Sequence, residues 1–187
     1  MKIILASASP RRRELLKKVV EEFEIIPAVK EEKADKTLPP DQIVCALAES
    51  KCAEVFEKHS DCMVIGCDTI VYYNGKVLVK PKTAAEAVGT LNGLSGKTHS
   101  VYTGVCIKSP QKSLTAYERT EVTFNELSDE FIKNYVDGGS PMDKAGCYGI
   151  QDGGVVKSYE GSYTNVVGLP VELTEKMIKE VLSDENE

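Results

Sequence analysis

Apolar residues recur along this chain in two rhythms, one of strands and one of helices. Lys2 to Ala6 is a short, almost wholly apolar run that predicts a buried strand. Ser9 is suited to capping a helix and Pro10 to its first turn, so a helix is predicted from Arg11 to about Val20, with Leu15, Leu16 and Val19 on one face. Phe23 to Ala28 predicts a second strand, and the charged stretch Lys30 to Lys36 a connection. From about Asp41 to Lys58, Ile43, Val44, Leu47, Ala48, Val55 and Phe56 recur at helical spacing. "CMVIGCDTIVYYNGKVLVK" reads as a strand to Cys67, a break around Asp68 and a hairpin turning at Asn74-Gly75.

"KTAAEAVGTLNGL" predicts a short helix with Gly93 just past its end. Thr98 to Lys108 and Ser113 to Phe124 predict a long antiparallel pair. Ser128 is placed to cap a helix reaching about Val136. "GGSPMDKAGCYGIQDGGV" reads as loops, "VVKSYEGSYTNVVGLP" as a short strand and a turn, and Val171 to about Leu182 as the last helix. Residues Ser183 to Glu187 are expected to fray. Strands and helices alternate first and antiparallel strands follow, which indicates an α/β fold with a mixed sheet. No repeat or flexible linker divides the chain, so a single domain over 1–187, with a cleft between two lobes, is expected.

Composition narrows the function. The 187 residues are 42% apolar and 28% charged, as in a soluble globular protein. No apolar run approaches the roughly 20 residues of a membrane span, and the N-terminus lacks a signal-peptide pattern, so a cytoplasmic location is expected. The net charge of −6 argues against general nucleic-acid affinity but leaves room for a small basic pocket. Six cysteines, Cys45, Cys52, Cys62, Cys67, Cys106 and Cys147, form no C-x-x-C pair, and His59 and His99 are far apart. Zinc is not indicated; the thiols read as buried and structural.

"LASASPRRREL" places two serines, a helix start and three arginines in one turn. Hydroxyls, free helix N–H groups and guanidinium forks are all anion donors, so this is a candidate phosphate cradle without Walker spacing. The plainer reading is a capped helix with solvated arginines. Asp68 closes "VIGCD", where a carboxylate could hold a divalent metal, activate water or simply cap a turn. An aspartyl nucleophile of the D-x-D-x-T type is excluded because Ile70 stands at the second aspartate. Lys51 and Lys80, taken singly, read as solvated lysines. "LSGKTHSVYTG" and "MDKAGCYGIQ" are loops that could surround a ligand.

Together "LASASPRRREL", "VIGCDTIV", "KPKTAAEA", "LSGKTHSVYTGV", "PMDKAGCYGIQ" and "GSYTNVVGLPV" resemble the Maf family of nucleoside triphosphate pyrophosphatases, in order and spacing, over nearly the whole chain. The resemblance implies a two-lobed α/β fold with an extended mixed sheet and a central cleft. It implies hydrolysis of a nucleoside triphosphate to monophosphate and pyrophosphate with a divalent cation, Mg²⁺ or Mn²⁺. By the same resemblance Asp68 is the proton acceptor, and Arg11, Thr69 and Gln151 select the substrate as in the branch acting on dTTP and UTP. Ser7, Arg12, Glu32, Lys51, Lys80 and Lys144 are further site positions, with Glu32 and Asp68 able to hold the metal. A homodimer is also implied by the resemblance, while charge and the lack of a long apolar run lead to the expectation of no nucleic-acid or membrane partner.

Three features depart from the family pattern: Cys67 where alanine is usual, "AVKEEKAD" for an acidic segment, which leaves Glu31 or Glu32 as the site carboxylate, and Asp152 where glycine is usual. Modified pyrimidine nucleotides, and with them a house-cleaning role, are also compatible. The alternatives are a non-catalytic nucleotide-binding regulator linked to septum formation and a phosphomonoesterase. Asp68, Glu32 and the two lysines favour catalysis.

Overall fold

A computed structural model describes residues 1–30, 35 and 37–183. The expected connection 30–36, with the candidates Glu31 and Glu32, lies largely outside the described residues, as does the end of the tail expected to fray. The chain is α/β. Strands β1 (Ile3–Leu5), β2 (Glu24–Ile25), β3 (Met63–Tyr73), β4 (Lys76–Leu78), β5 (Thr98–Lys108), β6 (Ser113–Phe124) and β7 (Val156–Glu160) form one seven-stranded sheet. Its order is β2-β1-β3-β5-β6-β7, with β4 paired to β3. The sheet is mixed: β2, β1 and β3 run parallel, whereas β4 against β3 and β7 against β6 are antiparallel. Helices α1 (Pro10–Leu16), α2 (Pro40–Phe56), α3 (Ala84–Leu94), α4 (Asp129–Asp137), α5 (Tyr163–Val167) and α6 (Val171–Ser183) complete the elements, with three 3-10 turns between residues 140 and 152.

The chain forms two compact units. One contains Met1–Asp68, Thr103–Glu118 and Gly168–Glu187; the other contains Thr69–Tyr102 and Arg119–Val167. In the first, Ile4, Ala6, Ala48, Cys52, Val55, Cys62, Val64 and Cys106 form a buried cluster. The second is built around Leu91, Leu94, Phe124, Ile132, Tyr148 and their neighbours. There His99 and Tyr148 are edge-on to Phe124 and to each other. His99 Nε2 bonds the Tyr148 hydroxyl at 2.8 Å, and burial pushes the imidazole pKa down to about 4. Both are core side chains. Five cysteines are buried thiols as expected; Cys45 is half-buried.

Several elements differ from expectation for local reasons. The second strand has two residues because Ile26 N–H makes one more bond to the Leu5 carbonyl, at 3.1 Å, and Pro27 then offers no donor. Helix α1 stops at Leu16, where Lys18 and Val19 bond three residues back and tighten the turn. Helix α3 carries through Gly93 to Leu94. The segment expected as a turn after β7 includes the single helical turn α5, whose buried Asn165 donates to the Val101 carbonyl and Thr120 Oγ1 at 3.1 and 2.8 Å.

The largest correction concerns Asp68. No break occurs there: β3 runs unbroken from Met63 to Tyr73. Along β3, Met63–Ile65 pair with β1, and Val71–Tyr73 pair with β4. Asp68 falls in the interval between those two registers, within a continuous strand. The hairpin itself is as read, with Asn74 at φ 48° and Gly75 at φ 76°.

Helix α2 lies unusually close to the sheet at two glycines. A Cβ on Gly66 would sit 2.5 Å from the Ala48 carbonyl oxygen, and one on Gly104 would sit 2.3 Å from that of Val44. Both obstacles are backbone, so neither can rotate away. Gly104→Ala is therefore expected to lower unfolding stability by about 2 kcal/mol or more, read as a lower urea midpoint at unchanged slope. An unchanged midpoint would show that α2 can lift without cost.

Candidate active site

In the first unit the side chains at the start of α1 form a connected set. Ser9 caps the helix, its Oγ accepting from Arg12 N at 3.4 Å, and Pro10 occupies the first turn. Buried Ser7 Oγ accepts from Ser9 N and from Arg12 Nη1, each at 3.3 Å. Arg12 Nε donates to the Gly168 carbonyl at 2.9 Å. These contacts fix the guanidinium of Arg12 between Ser7 and the start of the C-terminal segment, while Ser9 holds its backbone N–H. Arg11 is half-buried, while exposed Arg13 pairs with Glu14 at 3.2 Å. The three arginines thus have distinct environments.

Lys51, on α2, places its ammonium in direct contact with Asp68 Oδ1 on β3. Their side chains are 21% and 17% exposed, so the pair is held at the protein surface with both groups within reach of water. The close seating of α2 at Gly66 is what brings Lys51 to this carboxylate. Cys67 lies in the field of the same charges. Its burial raises the thiol pKa, Asp68 adds to that, and Arg12 and Lys51 oppose it. Ser7, Arg12, Lys51, Asp68 and Cys67 therefore belong to one neighbourhood of this unit.

In the second unit Thr69 is half-buried on β3, and Lys80 is exposed two residues past β4. Lys144 is largely buried, its ammonium donating to the Ser140 carbonyl, Ser140 Oγ and Asp143 Oδ1 at 2.6, 3.1 and 2.9 Å. It supports its own turn. Gln151 is exposed on the 3-10 turn Ile150–Asp152.

Some supporting residues escape a reading of motifs. The Gly168 carbonyl that anchors Arg12 is one, because a backbone acceptor leaves no trace in residue type. Buried Glu54 is another: its carboxylate accepts from Val29 N at 3.0 Å and from Lys30 N at 3.1 Å, anchoring the chain that leads to Glu31 and Glu32. A glutamate on the buried side of α2 was the available signal.

Hard oxygen donors suit Mg²⁺ or Mn²⁺, and Mg²⁺ commonly takes one or two carboxylates with water and phosphate as the rest of its shell. Asp68 is a donor of that kind. No group of three or more His, Cys, Asp or Glu that could hold a metal occurs among the described residues. Asp68 could supply one such carboxylate to a cation shared with a phosphate ligand. No helix among the described residues is long and apolar enough to cross a membrane.

The mixed sheet, with the Lys51–Asp68 contact on β3, bears comparison with known proteins. A family model described as Maf-like protein matches residues 2–181. The chain belongs to the Maf-like protein family. A protein of Bacillus cytotoxicus named dTTP/UTP pyrophosphatase is 51% identical over 172 residues, 91% of this chain and 90% of its own. One of Bacillus mycoides with the same name is 49% identical over 185 residues, 98% of this chain and 97% of its own. Among solved structures, the Ham1 protein of Staphylococcus aureus is similar in fold, with a TM-score of 0.53 at 12% identity, covering 96% of this chain and 99% of that one.

Glu54 gives a test of how the candidate carboxylate segment is held. The two N–H donors, that of Val29 foremost, hold its pKa below the usual 4.5 in the folded chain. A depressed folded pKa contributes stability that is full above the unfolded value and fades as pH falls through the folded one. The stability difference between wild type and Glu54→Gln, followed by urea titration, is expected to be largest near neutrality and to shrink toward acid. A pH-independent difference would show that the ionised form is not what acts.

Proposed function

We propose that this protein is a nucleoside triphosphate pyrophosphatase that hydrolyses dTTP and UTP to the monophosphate and pyrophosphate. The observation that carries the reading is the Lys51–Asp68 contact, which puts an oriented carboxylate and an ammonium side by side at a water-accessible position of β3. Relatives of about 50% identity bearing that activity in their names support the choice of substrate.

In this proposal Asp68 accepts a proton from the water that attacks the α-phosphorus, and pyrophosphate leaves. No protein nucleophile is needed. A triphosphate brings about four negative charges, which must be met at the phosphates. Ser7, Arg11, Arg12, Lys51, Lys80 and Lys144 are assigned to that task. Arg12 enters it pre-oriented by Ser7 and Gly168, so little of its conformational freedom is lost on binding. Asp68, with Glu32, would hold the divalent cation, which supplies neutralisation of phosphate charge when bound. Thr69 and Gln151, with Arg11, are assigned to the base, since a hydroxyl and an amide offer both donors and acceptors to a pyrimidine edge. The protein is proposed to act as a homodimer.

The test is product analysis with Mg²⁺ or Mn²⁺ across common and modified nucleoside triphosphates. Monophosphate and pyrophosphate should form from dTTP and UTP, and Asp68→Asn should lower turnover by about a hundredfold or more with nucleotide binding retained. Turnover confined to other nucleotides would overturn the roles of Arg11, Thr69 and Gln151. Tight nucleotide binding with no turnover would replace the enzyme by a non-catalytic binder, and orthophosphate as product would indicate a phosphomonoesterase.

A further inference from the structure

We infer that Asp152 is a positioning residue that sets the place of Gln151 and, through it, the choice of base; this rests on the reading of Gln151 given above. One carboxylate oxygen ties together three separate segments. Asp152 Oδ2 accepts from the Tyr135 hydroxyl on α4 at 2.6 Å and from Ser140 Oγ, in the turn Ser140–Asp143, also at 2.6 Å.

Each hydroxyl has a single proton, so these two bonds fix the direction of everything attached. Tyr135 directs its proton to Asp152, and its oxygen then accepts from Gly149 N at 3.1 Å. Ser140 directs its proton to Asp152, leaving Oγ to accept from Lys144 Nζ at 3.1 Å. Without the carboxylate both hydroxyl protons can turn elsewhere, and the acceptors for Gly149 and Lys144 lose their orientation. Bonds to an ionised acceptor are the strong ones. Burial works against the charge of Asp152, but the Ser140 and Tyr135 bonds and the Lys144 charge outweigh it and keep the carboxyl below the usual aspartate range. Burial and the bond to Asp152 push the Tyr135 phenol up to about 12, so it remains a donor.

Gln151 shares the same space. A Cβ on Gly149 would lie 2.8 Å from Gln151 Nε2 and 2.9 Å from each Asp152 carboxylate oxygen. Both side chains fold back over the bare backbone of Gly149, which Tyr135 holds from the other end. The amide of Gln151 and the carboxylate of Asp152 thus crowd the same face of Gly149, and the carboxylate is itself tied to α4 and to the turn of Ser140.

The experiment compares kcat and KM of wild type, Asp152→Ala, Gln151→Ala and the double variant on dTTP, UTP and a purine triphosphate, with thermal melts alongside. Asp152→Ala is expected to raise KM for dTTP and UTP about tenfold, leave kcat within about threefold, and narrow the pyrimidine-to-purine ratio of kcat/KM by a similar factor. In the Gln151→Ala background it is expected to change that ratio less than twofold, since residues acting as a unit are not additive. An unchanged ratio in Asp152→Ala, or the same loss whether or not Gln151 is present, would overturn the inference while leaving the proposed activity intact. A wild type that does not turn over dTTP or UTP would overturn the reading on which the inference rests. Should the melt of Asp152→Ala show an unfolded chain, Tyr135→Phe, which removes one of the two donors, is expected to narrow the ratio in the same direction; a folded Tyr135→Phe with wild-type selectivity would overturn the inference.

Discussion

The approach of α2 to the sheet is the constraint on which the first unit depends. Two glycines on neighbouring strands, Gly66 of β3 and Gly104 of β5, face helix backbone with no space for a methyl group. The helix can therefore bury Val44, Ala48, Cys52 and Val55 at short range. The same approach decides where its other residues fall. Lys51 meets Asp68, and Glu54 receives the backbone of Val29 and Lys30. A helix seated even a methyl's width farther out would break these polar contacts, because hydrogen bonds weaken over a few tenths of an ångström whereas apolar burial fades gradually. Packing and chemistry here have one cause.

In the candidate site of this unit, long, flexible cations are held in fixed directions. Arginine and lysine carry much rotamer freedom, and a ligand that must order them binds less well for it. Arg12 has already lost that freedom to the Gly168 carbonyl and to Ser7, and Lys51 to Asp68. Fixing these particular cations matters more than the overall charge balance, which at −6 is acidic.

Much of the architecture is legible in hydrophobic patterning, since β1, α2, α4, β5, β6 and α6 all follow apolar runs, alternation or helical spacing strong enough to survive tertiary context. What rhythm cannot show is pairing. Asp68 after "VIGC" looks like a strand end because a carboxylate interrupts an apolar run, yet the strand continues. Its backbone on one side passes from β1 to β4, and partners so distant in sequence are invisible locally. The two-residue β2 shows the converse: an apolar "FEIIPAV" promises more strand than Pro27 and an edge position allow. The candidate side chains were legible as motifs, but the groups that orient them were not. A backbone carbonyl at Gly168 and a hydroxyl at Ser140 are ordinary residues until the fold brings them to a charge.

Asp152 shows how a departure from a family pattern can carry more information than agreement with it. A glycine there would supply no side chain to join α4, the Ser140 turn and the Gln151 turn. The carboxylate joins all three through one oxygen. The 140–154 region is rich in positive-φ glycines, with Gly146 at 69°, Gly153 at 74° and Gly154 at 74°. Such a backbone has more conformations to lose than an ordinary loop, and little apolar burial to hold it where residues 151–154 are exposed. Directional bonds to a charge are then the available means of order. Order at Gln151 thus rests on the polar network around Asp152, which ties an exposed turn to Tyr135 at the edge of the second unit's core.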